Sequence, residues 1–256
     1  AYYSAFTNNK WGIIDSSGNT VITPSYDEMV VVPNKDKAVF IVTYDVDYTN
    51  GTYKTKAVNE KNEQLFSTYD QVEAIQNYDQ QNNIWYEKSC LRVKKDNKYG
   101  VIFFDLSNKA IDRIYDYIAL PAHIINSKLD VSKFIVKKDG MWYILNNNGA
   151  ADITPINNEI VDFNDKYIIT YVNGTYHIID KNGLEYLSDL PKTKVYGVDK
   201  YIFIVNNNDL YIYEDLLNPM IKQVSLSSYN DLYFDVRDGN INIMVDKNLQ
   251  ESLELS

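Results

Sequence analysis

Hydrophobic residues occur along this chain in short runs, separated by polar turns rich in Asn, Asp and Gly. One complete unit of the pattern begins at Lys10, runs through apolar residues to Asp15, turns at Gly18 and continues into residues 20–24. Short runs of β-branched and aromatic residues that end in such turn residues are typical of β-strands joined by tight turns. The pattern therefore predicts an all-β protein.

The unit recurs along the chain, and seven degenerate copies can be aligned. Each copy has a strand-like run before the template, the template run itself, a tight turn and a further apolar run. Such periodicity indicates an array of small sheets, because one unit cannot bury its apolar face without a neighbour. The residues at the position of Trp11 in successive units are Trp11, Thr55, Tyr99, Trp142, Tyr176, Tyr211 and Ile241.

We interpret this aromatic position as structural. A flat ring on a small sheet fills the gap to the adjacent sheet, and this explains why most units keep one. The glycine that follows the ring leaves room for a close backbone approach or a β-bulge. The predicted structural positions of the repeat are Trp11, Gly12, Tyr99, Gly100, Trp142, Tyr176 and Tyr211.

The first unit resembles the WG (or KWG) repeat family of bacterial proteins. The matching residues are Lys10, Trp11 and Gly12, followed by Gly18, by Val-Ile-Thr-Pro at 21–24 and by Tyr-Asp at 26–27. Later units lose the Trp-Gly pair, and the Tyr-Asp pair is absent after Asp116. The resemblance implies a β-propeller-like array in a secreted or surface-associated protein. It implies no activity and no catalytic residue, because the family defines none.

We predict that residues 1–256 form one domain of about seven repeats, each with three or four strands. The repeat length of about 35 to 44 residues per unit matches the roughly 40–45 residues of a four-stranded propeller blade. The array would then be a six- or seven-bladed ring, with an open β-solenoid as the alternative. Residues 1–6 resemble a strand in register with the repeat, which favours a ring in which the chain ends meet.

Charge narrows the choice of partners. The formal net charge is −10 and the calculated pI is about 4.7. An acidic surface repels phosphate backbones, so the sequence argues against a nucleic-acid partner. No apolar run approaches the ~18 residues of a transmembrane helix. We expect an extracellular or cell-envelope protein, although cytoplasmic residence is also compatible with this composition.

Few residues suggest metal or cofactor chemistry. Cys90 is the only cysteine and lies in a strand pattern without a nearby histidine, so we interpret it as an inert packed thiol. His123 lies in a predicted loop and His177 in a predicted strand, and their spacing matches no metal site. Phosphate-binding glycine motifs are absent. Residues 45–51 resemble a calcium loop, but their Asn-Gly pair predicts a hairpin instead. The sequence therefore predicts no metal, no cofactor and no catalytic residue.

Three aspartates occur at one place in the repeat, namely Asp27, Asp70 and Asp116. A catalytic carboxylate is normally unique, whereas an aspartate that recurs in each unit is more typical of a turn cap. We therefore predict a structural role for these three residues.

The functional hypothesis that the sequence favours is a non-catalytic scaffold that contacts another protein. Its longer connections, at about 44–53, 76–87 and 122–132, are expected to carry recognition, because loops on a rigid scaffold concentrate binding residues. A surface glycan is the alternative ligand, and a propeller-type hydrolase, which needs a carboxylate cluster or a His-centred site, is the third possibility. The candidate binding residues are Tyr48, Tyr78, Trp85 and Tyr86.

Overall fold

A computed structural model describes residues 1–78, 84–104, 109–190 and 193–255, except for the side chains of 77, 78, 84, 188–190 and 193. These residues contain 26 β-strands and no helix. The prediction of an all-β protein built from small, mainly antiparallel sheets is confirmed. The chain divides into two compact units. The first consists of Ala1–Asn77 and Ile84–Tyr115, and the second is mainly Asp116–Ser256.

The first unit contains three sheets. Their strands are β1 (Tyr2–Thr7), β2 (Lys10–Asp15), β3 (Thr20–Tyr26), β4 (Phe40–Asp47), β5 (Thr52–Val58), β6 (Gln64–Leu65), β7 (Gln71–Tyr78), β8 (Ile84–Lys95), β9 (Lys98–Phe103) and β10 (Ala110–Tyr115). The strand orders are β1-β2-β3, β4-β5-β6 and β10-β9-β8-β7. Strands that follow one another in sequence are therefore neighbours in space, as a repeat of hairpins requires.

The second unit contains four sheets. Its strands are β11 (Tyr117–Ala119), β12 (Ile124–Ile125), β13 (Lys128–Leu129), β14 (Lys133–Lys138), β15 (Met141–Asn146), β16 (Glu159–Phe163), β17 (Tyr167–Val172), β18 (Thr175–Asp180), β19 (Glu185–Leu190), β20 (Thr193–Val198), β21 (Tyr201–Asn206), β22 (Asp209–Tyr213), β23 (Lys222–Ser225), β24 (Leu232–Arg237), β25 (Asn240–Val245) and β26 (Asn248–Glu254). The strand orders are β11-β14-β15, β16-β17-β18-β19, β20-β21-β22-β23 and β13-β12-β24-β25-β26.

Two kinds of tight turn, which recur in successive repeats, bring consecutive strands together as neighbours in each sheet. Five equivalent hairpins are closed by two-residue turns in which both residues have positive φ, the geometry that suits the twist of paired strands and favours Asn, Asp and Gly. These turns are Asn8-Asn9, Asp96-Asn97, Asp139-Gly140, Asn173-Gly174 and Asp238-Gly239. The turn after the next strand also has the same hydrogen bond in different repeats. In it, a backbone N–H donates to the carbonyl three residues earlier, as from Gly18 to Asp15 and from Gly183 to Asp180.

Consecutive sheets share their apolar cores. In the first unit, Ile13 and Ile22 of the first sheet pack with Phe40 and Val42 of the second, all almost completely buried. In the second unit, the sheet of β16–β19 and the sheet of β20–β23 share a core that includes Ile169, Ile178, Ile202 and Ile204. Burial between sheets supplies most of the stability of such an array, because a single small sheet exposes both of its faces.

The residues at the Trp11 position have a common environment. Trp11, Tyr99, Trp142 and Tyr176 are half-buried, and each lies beside its cross-strand partner in the hairpin. Two of these partners are aromatic, since Phe6 contacts Trp11 at 4.9 Å and Tyr171 contacts Tyr176 at 5.1 Å between ring centroids. The other two are lysines that lie over the rings of Tyr99 and Trp142. Tyr211 packs against the core shared by the β16–β19 and β20–β23 sheets.

The glycines of the repeat mark close backbone approaches. A Cβ atom on Gly12 would lie 2.3 Å from the carbonyl oxygen of Ile22, and one on Gly100 would lie 2.5 Å from that of Ile111. The pairing register between β2 and β3 shifts on both sides of Ile13, which is the signature of a bulge. Any side chain at these two positions would collide with backbone.

Two of the recurring aspartates cap a hairpin turn of the following repeat. The Oδ2 atom of Asp70 accepts a hydrogen bond from the N–H of Asp96 at 2.8 Å, and Oδ2 of Asp116 accepts one from the N–H of Asp139 at 3.1 Å. Both donors open a two-residue turn. Asp27 differs, because its carboxylate forms an ion pair with Lys10. Turn capping thus describes Asp70 and Asp116 but not Asp27.

The last sheet contains a strand that comes from elsewhere in the chain. In four sheets, the hairpin is preceded by a strand that pairs with it, namely β7, β11, β16 and β20, and the last three of these pair antiparallel. In the last sheet this place beside β24 is taken by β12, which lies in the connection between β11 and β14. β12 runs parallel to β24, and it forms a short hairpin with β13. This arrangement positions the segment before β12 against β16 and β20.

Candidate functional site

A groove in the first unit receives residues from two of the three long connections. Its volume is about 430 Å³, and its walls include Met29, Val31, Ile41, Tyr53 and Tyr86. Tyr53 ends the connection at 44–53, and Tyr86 belongs to the connection at 76–87. Met29 is 40 % exposed and Tyr53 is 56 % exposed, so apolar surface is open to solvent along this groove.

The predicted binding aromatics are distributed unevenly around this groove. Tyr86 lines it. Tyr48 is 73 % exposed and donates a hydrogen bond from its hydroxyl to Oε1 of Glu28, a lining residue, at 2.6 Å. Trp85 is half-buried and is absent from the lining, as expected for a neighbour of Tyr86 on the opposite face of a strand. The side chain of Tyr78 lies outside the described residues.

Charged groups edge the groove. Nε of Arg92 lies 2.5 Å from Oε1 of Glu73, and both residues line the groove. The hydrogen bond to Glu28, burial and the charges of Glu28 and Asp27 all raise the pKa of the Tyr48 phenol. The charge of Arg92 is thus neutralised by Glu73, whereas Glu28 adds a further negative charge to the groove.

A second concave site lies in the second unit, where β16, β20 and β24 meet the segment that leads into β12. It is a pocket of about 180 Å³. Phe163, Tyr196 and Phe234 contribute aromatic walls, and Gly197 lies at its edge. A Cβ atom on Gly197 would lie 2.2 Å from the carbonyl oxygen of Phe163, so the close contact between β16 and β20 depends on this glycine.

A histidine and an aspartate form the polar centre of this pocket. Nε2 of His123 lies 2.5 Å from Oδ1 of Asp162. The same carboxylate accepts hydrogen bonds from the N–H of Phe163 at 2.8 Å and from that of Gly197 at 2.9 Å. Oδ1 thus has two hydrogen-bond partners and Oδ2 has one, and together they hold β16, β20 and the His123 segment in place. The ring of His123 packs edge-on against Phe163, with 5.3 Å between centroids.

The ionisation of these groups follows from their surroundings. Burial lowers the pKa of His123, but the charge and hydrogen bond of Asp162, aided by the charge of Asp130, outweigh that effect and raise the pKa overall. Burial, which is the largest effect, raises the pKa of the Tyr196 phenol. The carboxylate of Asp162 is thus both the hydrogen-bond partner of Nε2 of His123 and the main group that favours the charged form of this imidazole.

The sequence did not single out the second pocket. The sequence predicts a loop at His123, as observed, but with no second histidine nearby it gives no reason to expect a site there. Asp162 and Tyr196 lie in ordinary strand patterns, and nothing in their spacing indicates that they meet. A detectable signal was the irregularity of the long connection at 122–132, which carries His123 and supplies β12.

The part of the chain that the structure describes contains no group of three or more His, Cys, Asp or Glu side chains placed to hold a metal ion. It also contains no helix long and apolar enough to cross a membrane.

Comparisons with known proteins give similarity to solved structures only. No family model matches the chain, and no curated protein matches it. Hsv2p of Kluyveromyces lactis aligns with a TM-score of 0.40 and 10 % identity, covering 95 % of this chain and 85 % of its own. BBS1N, in a complex with ARL6DN, aligns with a TM-score of 0.39 and 11 % identity over 100 % and 87 % of the two chains.

The computationally designed protein Ika8 aligns with a TM-score of 0.43 and 13 % identity, covering 99 % of this chain and 86 % of that protein. All three TM-scores lie below 0.5, so these similarities do not establish a shared fold. The resemblance to WG repeats and the number of propeller blades stay predictions.

Proposed function

We propose that this protein is a non-catalytic binding module, a propeller-like array of WG-type repeats that contacts a protein partner through the groove of its first unit. The observation that carries the proposal is the convergence of two long connections on one groove. The exposed ring of Tyr53 from the first connection and Tyr86 from the second line it, together with the exposed Met29. Solvent-exposed apolar surface with a polar rim is typical of interaction sites.

The groove also suggests what kind of partner segment it would take. The apolar residues Val31, Ile41 and Ala74 line it together with Tyr53 and Tyr86. Glu28 gives its rim a surplus of negative charge, as does the net charge of −10 for the whole chain. A protein segment with aliphatic side chains and flanking Lys or Arg residues complements both features. We expect such a partner outside the cell or in the cell envelope.

Selection of binding peptides tests this proposal. The full chain is immobilised and a random linear peptide library is enriched on it, after which the selected peptides are measured by fluorescence anisotropy. We expect peptides that combine aliphatic and basic residues, with affinity reduced about tenfold or more by Tyr53→Ala or Tyr86→Ala, since interface tyrosines are frequent hot spots. Tyr3→Ala is the matched control, because Tyr3 is 42 % exposed in the same unit but does not line the groove.

Two results would count against the proposal. One is the failure of any peptide to enrich, and the other is an equal loss of affinity for the Tyr3 variant. The glycan alternative is examined with a glycan array on the same immobilised protein. Binding to an array glycan that depends on Tyr53 and Tyr86, without peptide enrichment, would assign the groove to carbohydrate.

A further inference from the structure

The pocket of the second unit has the size and walls of a small-molecule site. Its volume of about 180 Å³ exceeds the roughly 150 Å³ of an apolar cavity that holds benzene. Tyr196 packs edge-on against Phe234 with 5.2 Å between centroids, and Phe163 is fixed by His123. All three rings line the pocket and pack against neighbouring rings.

The charges around the pocket are unbalanced. Four aspartates line it, namely Asp130, Asp162, Asp165 and Asp199. Two basic groups also line it, but each is already matched. Nζ of Lys133 lies 2.9 Å from Oδ2 of Asp152, and His123 is paired with Asp162.

The other three aspartates, Asp130, Asp165 and Asp199, give the pocket its surplus of negative charge. In the described part of the chain Asp165 and Asp199 form no ion pair, and Asp130 accepts a hydrogen bond from the N–H of Ser132. Both Asp165 and Asp199 are exposed at the pocket edge. The uncompensated charge of this pocket is therefore negative.

We propose that this pocket binds a small organic cation of the quaternary ammonium class, between its aromatic walls and its carboxylate edge. Aromatic rings attract such cations through their negative faces, and nearby carboxylates add long-range attraction. A quaternary ammonium needs no hydrogen-bond acceptor, and this suits a site in which both oxygens of Asp162 already accept hydrogen bonds from the protein, Oδ1 from two groups and Oδ2 from one. This site is separate from the groove of the first unit and does not depend on the protein-binding proposal.

An anionic ligand fits this pocket less well. Lys133 and His123 are matched by carboxylates, and the N–H of Gly197 donates to Asp162. An incoming phosphate or carboxylate would find these donors engaged and would meet the negative edge.

Calorimetric titration with a matched pair of ligands tests the proposal. Choline is titrated into the full chain, and 3,3-dimethyl-1-butanol, which has the same shape without the charge, is titrated in parallel. We expect choline to bind and the neutral isostere to bind at least about tenfold more weakly, because only the cation gains from the rings and carboxylates. In NMR spectra, the amide of Gly197 and the imidazole of His123 should shift with choline.

Two substitutions separate local recognition from general attraction. Asp199→Asn removes one edge charge, and asparagine tolerates the positive φ of 52° at this position. Asp238→Asn is the matched control, since Asp238 has a φ of 51° in another turn of the same unit and does not line the pocket. We expect Asp199→Asn to weaken choline binding about three- to tenfold, the range of a solvent-screened charge, and Asp238→Asn to leave it unchanged.

Three outcomes would overturn the inference. Absence of choline binding at concentrations up to about 10 mM is the first, because that limit is near the weakest affinity a specific site shows. Equal binding of the neutral isostere would reduce the site to an apolar pocket. Equal weakening by both aspartate substitutions would assign the effect to the net charge of the protein.

Discussion

Nε2 of His123 lies 2.5 Å from Oδ1 of Asp162, and this pair joins the segment before β12 to β16. Asp162 lies in β16, whereas His123 lies in the loop that leads into β12 of the last sheet. The same aspartate also binds the N–H of Gly197 in β20. One carboxylate thus connects three parts of the chain that are separated in sequence, and the pocket exists because they meet there.

The pairing of His123 with Asp162 predicts a pH-dependent stability. The pKa of His123 is raised in the folded protein above its ordinary 6.5. A raised folded-state pKa adds stability that is complete below the unfolded pKa and is lost as the pH rises through the folded value. The free energy of unfolding should therefore exceed that of His123→Gln most at low pH, and the difference should shrink above about pH 6.5.

Urea denaturation across this pH range measures the difference between the two proteins. An NMR titration gives the His123 midpoint directly, with the His123→Gln protein used to assign its resonance. A midpoint at or below 6.5, or a stability difference that grows with pH, would contradict the prediction.

The glycine after Trp11 predicts a steric effect on stability. Gly12→Ala would bring a methyl group to 2.3 Å from the carbonyl oxygen of Ile22, and this backbone cannot move without breaking the β2–β3 pairing. We expect a loss of at least about 2 kcal/mol in unfolding free energy. Gly18→Ala is the control, because Gly18 has a φ of +82° but no atom within 4 Å of its Cβ position. It should cost only about 1–2 kcal/mol, the strain of a left-handed backbone. An equal loss of unfolding free energy in the two variants would show that the close approach to Ile22 is not the reason why position 12 requires glycine.

The turn cap of Asp70 predicts a local change in hydrogen exchange. Asp70→Ala removes the acceptor for the N–H of Asp96, which opens the turn between β8 and β9. That amide should exchange faster, and unfolding free energy should fall by about 1 kcal/mol, the usual value of one hydrogen bond. Asp70→Asn keeps an acceptor oxygen and should retain most of the protection. Unchanged exchange at Asp96 in the alanine variant would remove the capping role.

The burial of Cys90 predicts an unreactive thiol. Cys90 is 0 % exposed, and burial, followed by the charge of Glu87, raises the pKa of its thiol to about 12. At pH 8 only about one molecule in ten thousand would carry the reactive thiolate. Iodoacetamide should therefore leave the native protein unmodified and alkylate it fully in urea, as mass spectrometry would show. Rapid alkylation without denaturant would mean that Cys90 is accessible.

Local chemistry explains why so much of the architecture could be predicted from the sequence. Asn, Asp and Gly fix the tight turns, because only they adopt positive φ at low cost, and the apolar runs between them fix the strands. These are contacts between residues close together in the chain. The recurrence of Asp70 and Asp116 indicates their structural role for the same reason, since each accepts a hydrogen bond from the N–H that opens an equivalent hairpin turn.

The sequence could not indicate which residues meet across sheets. The contact of His123 with Asp162 depends on the place that β12 takes beside β24, and the parallel pairing of Ile124 with Asp235 leaves no periodic signal. The sequence also could not indicate which of the predicted binding aromatics reach the groove. Side chains alternate between the two faces of β8, and this alternation puts Tyr86 in the groove and leaves Trp85 out of it.

The sequence by itself determined the fold class, the repeat and its turns, because each is set by backbone preferences within a few tens of residues. Only the tertiary structure decided where the concave sites lie. The groove and the pocket form from side chains on separate sheets, and their chemistry depends on distances that no local pattern encodes. Lys10, Trp11 and Gly12 identify the repeat, whereas His123, Asp162 and Tyr196 acquire a common role only after the chain has folded.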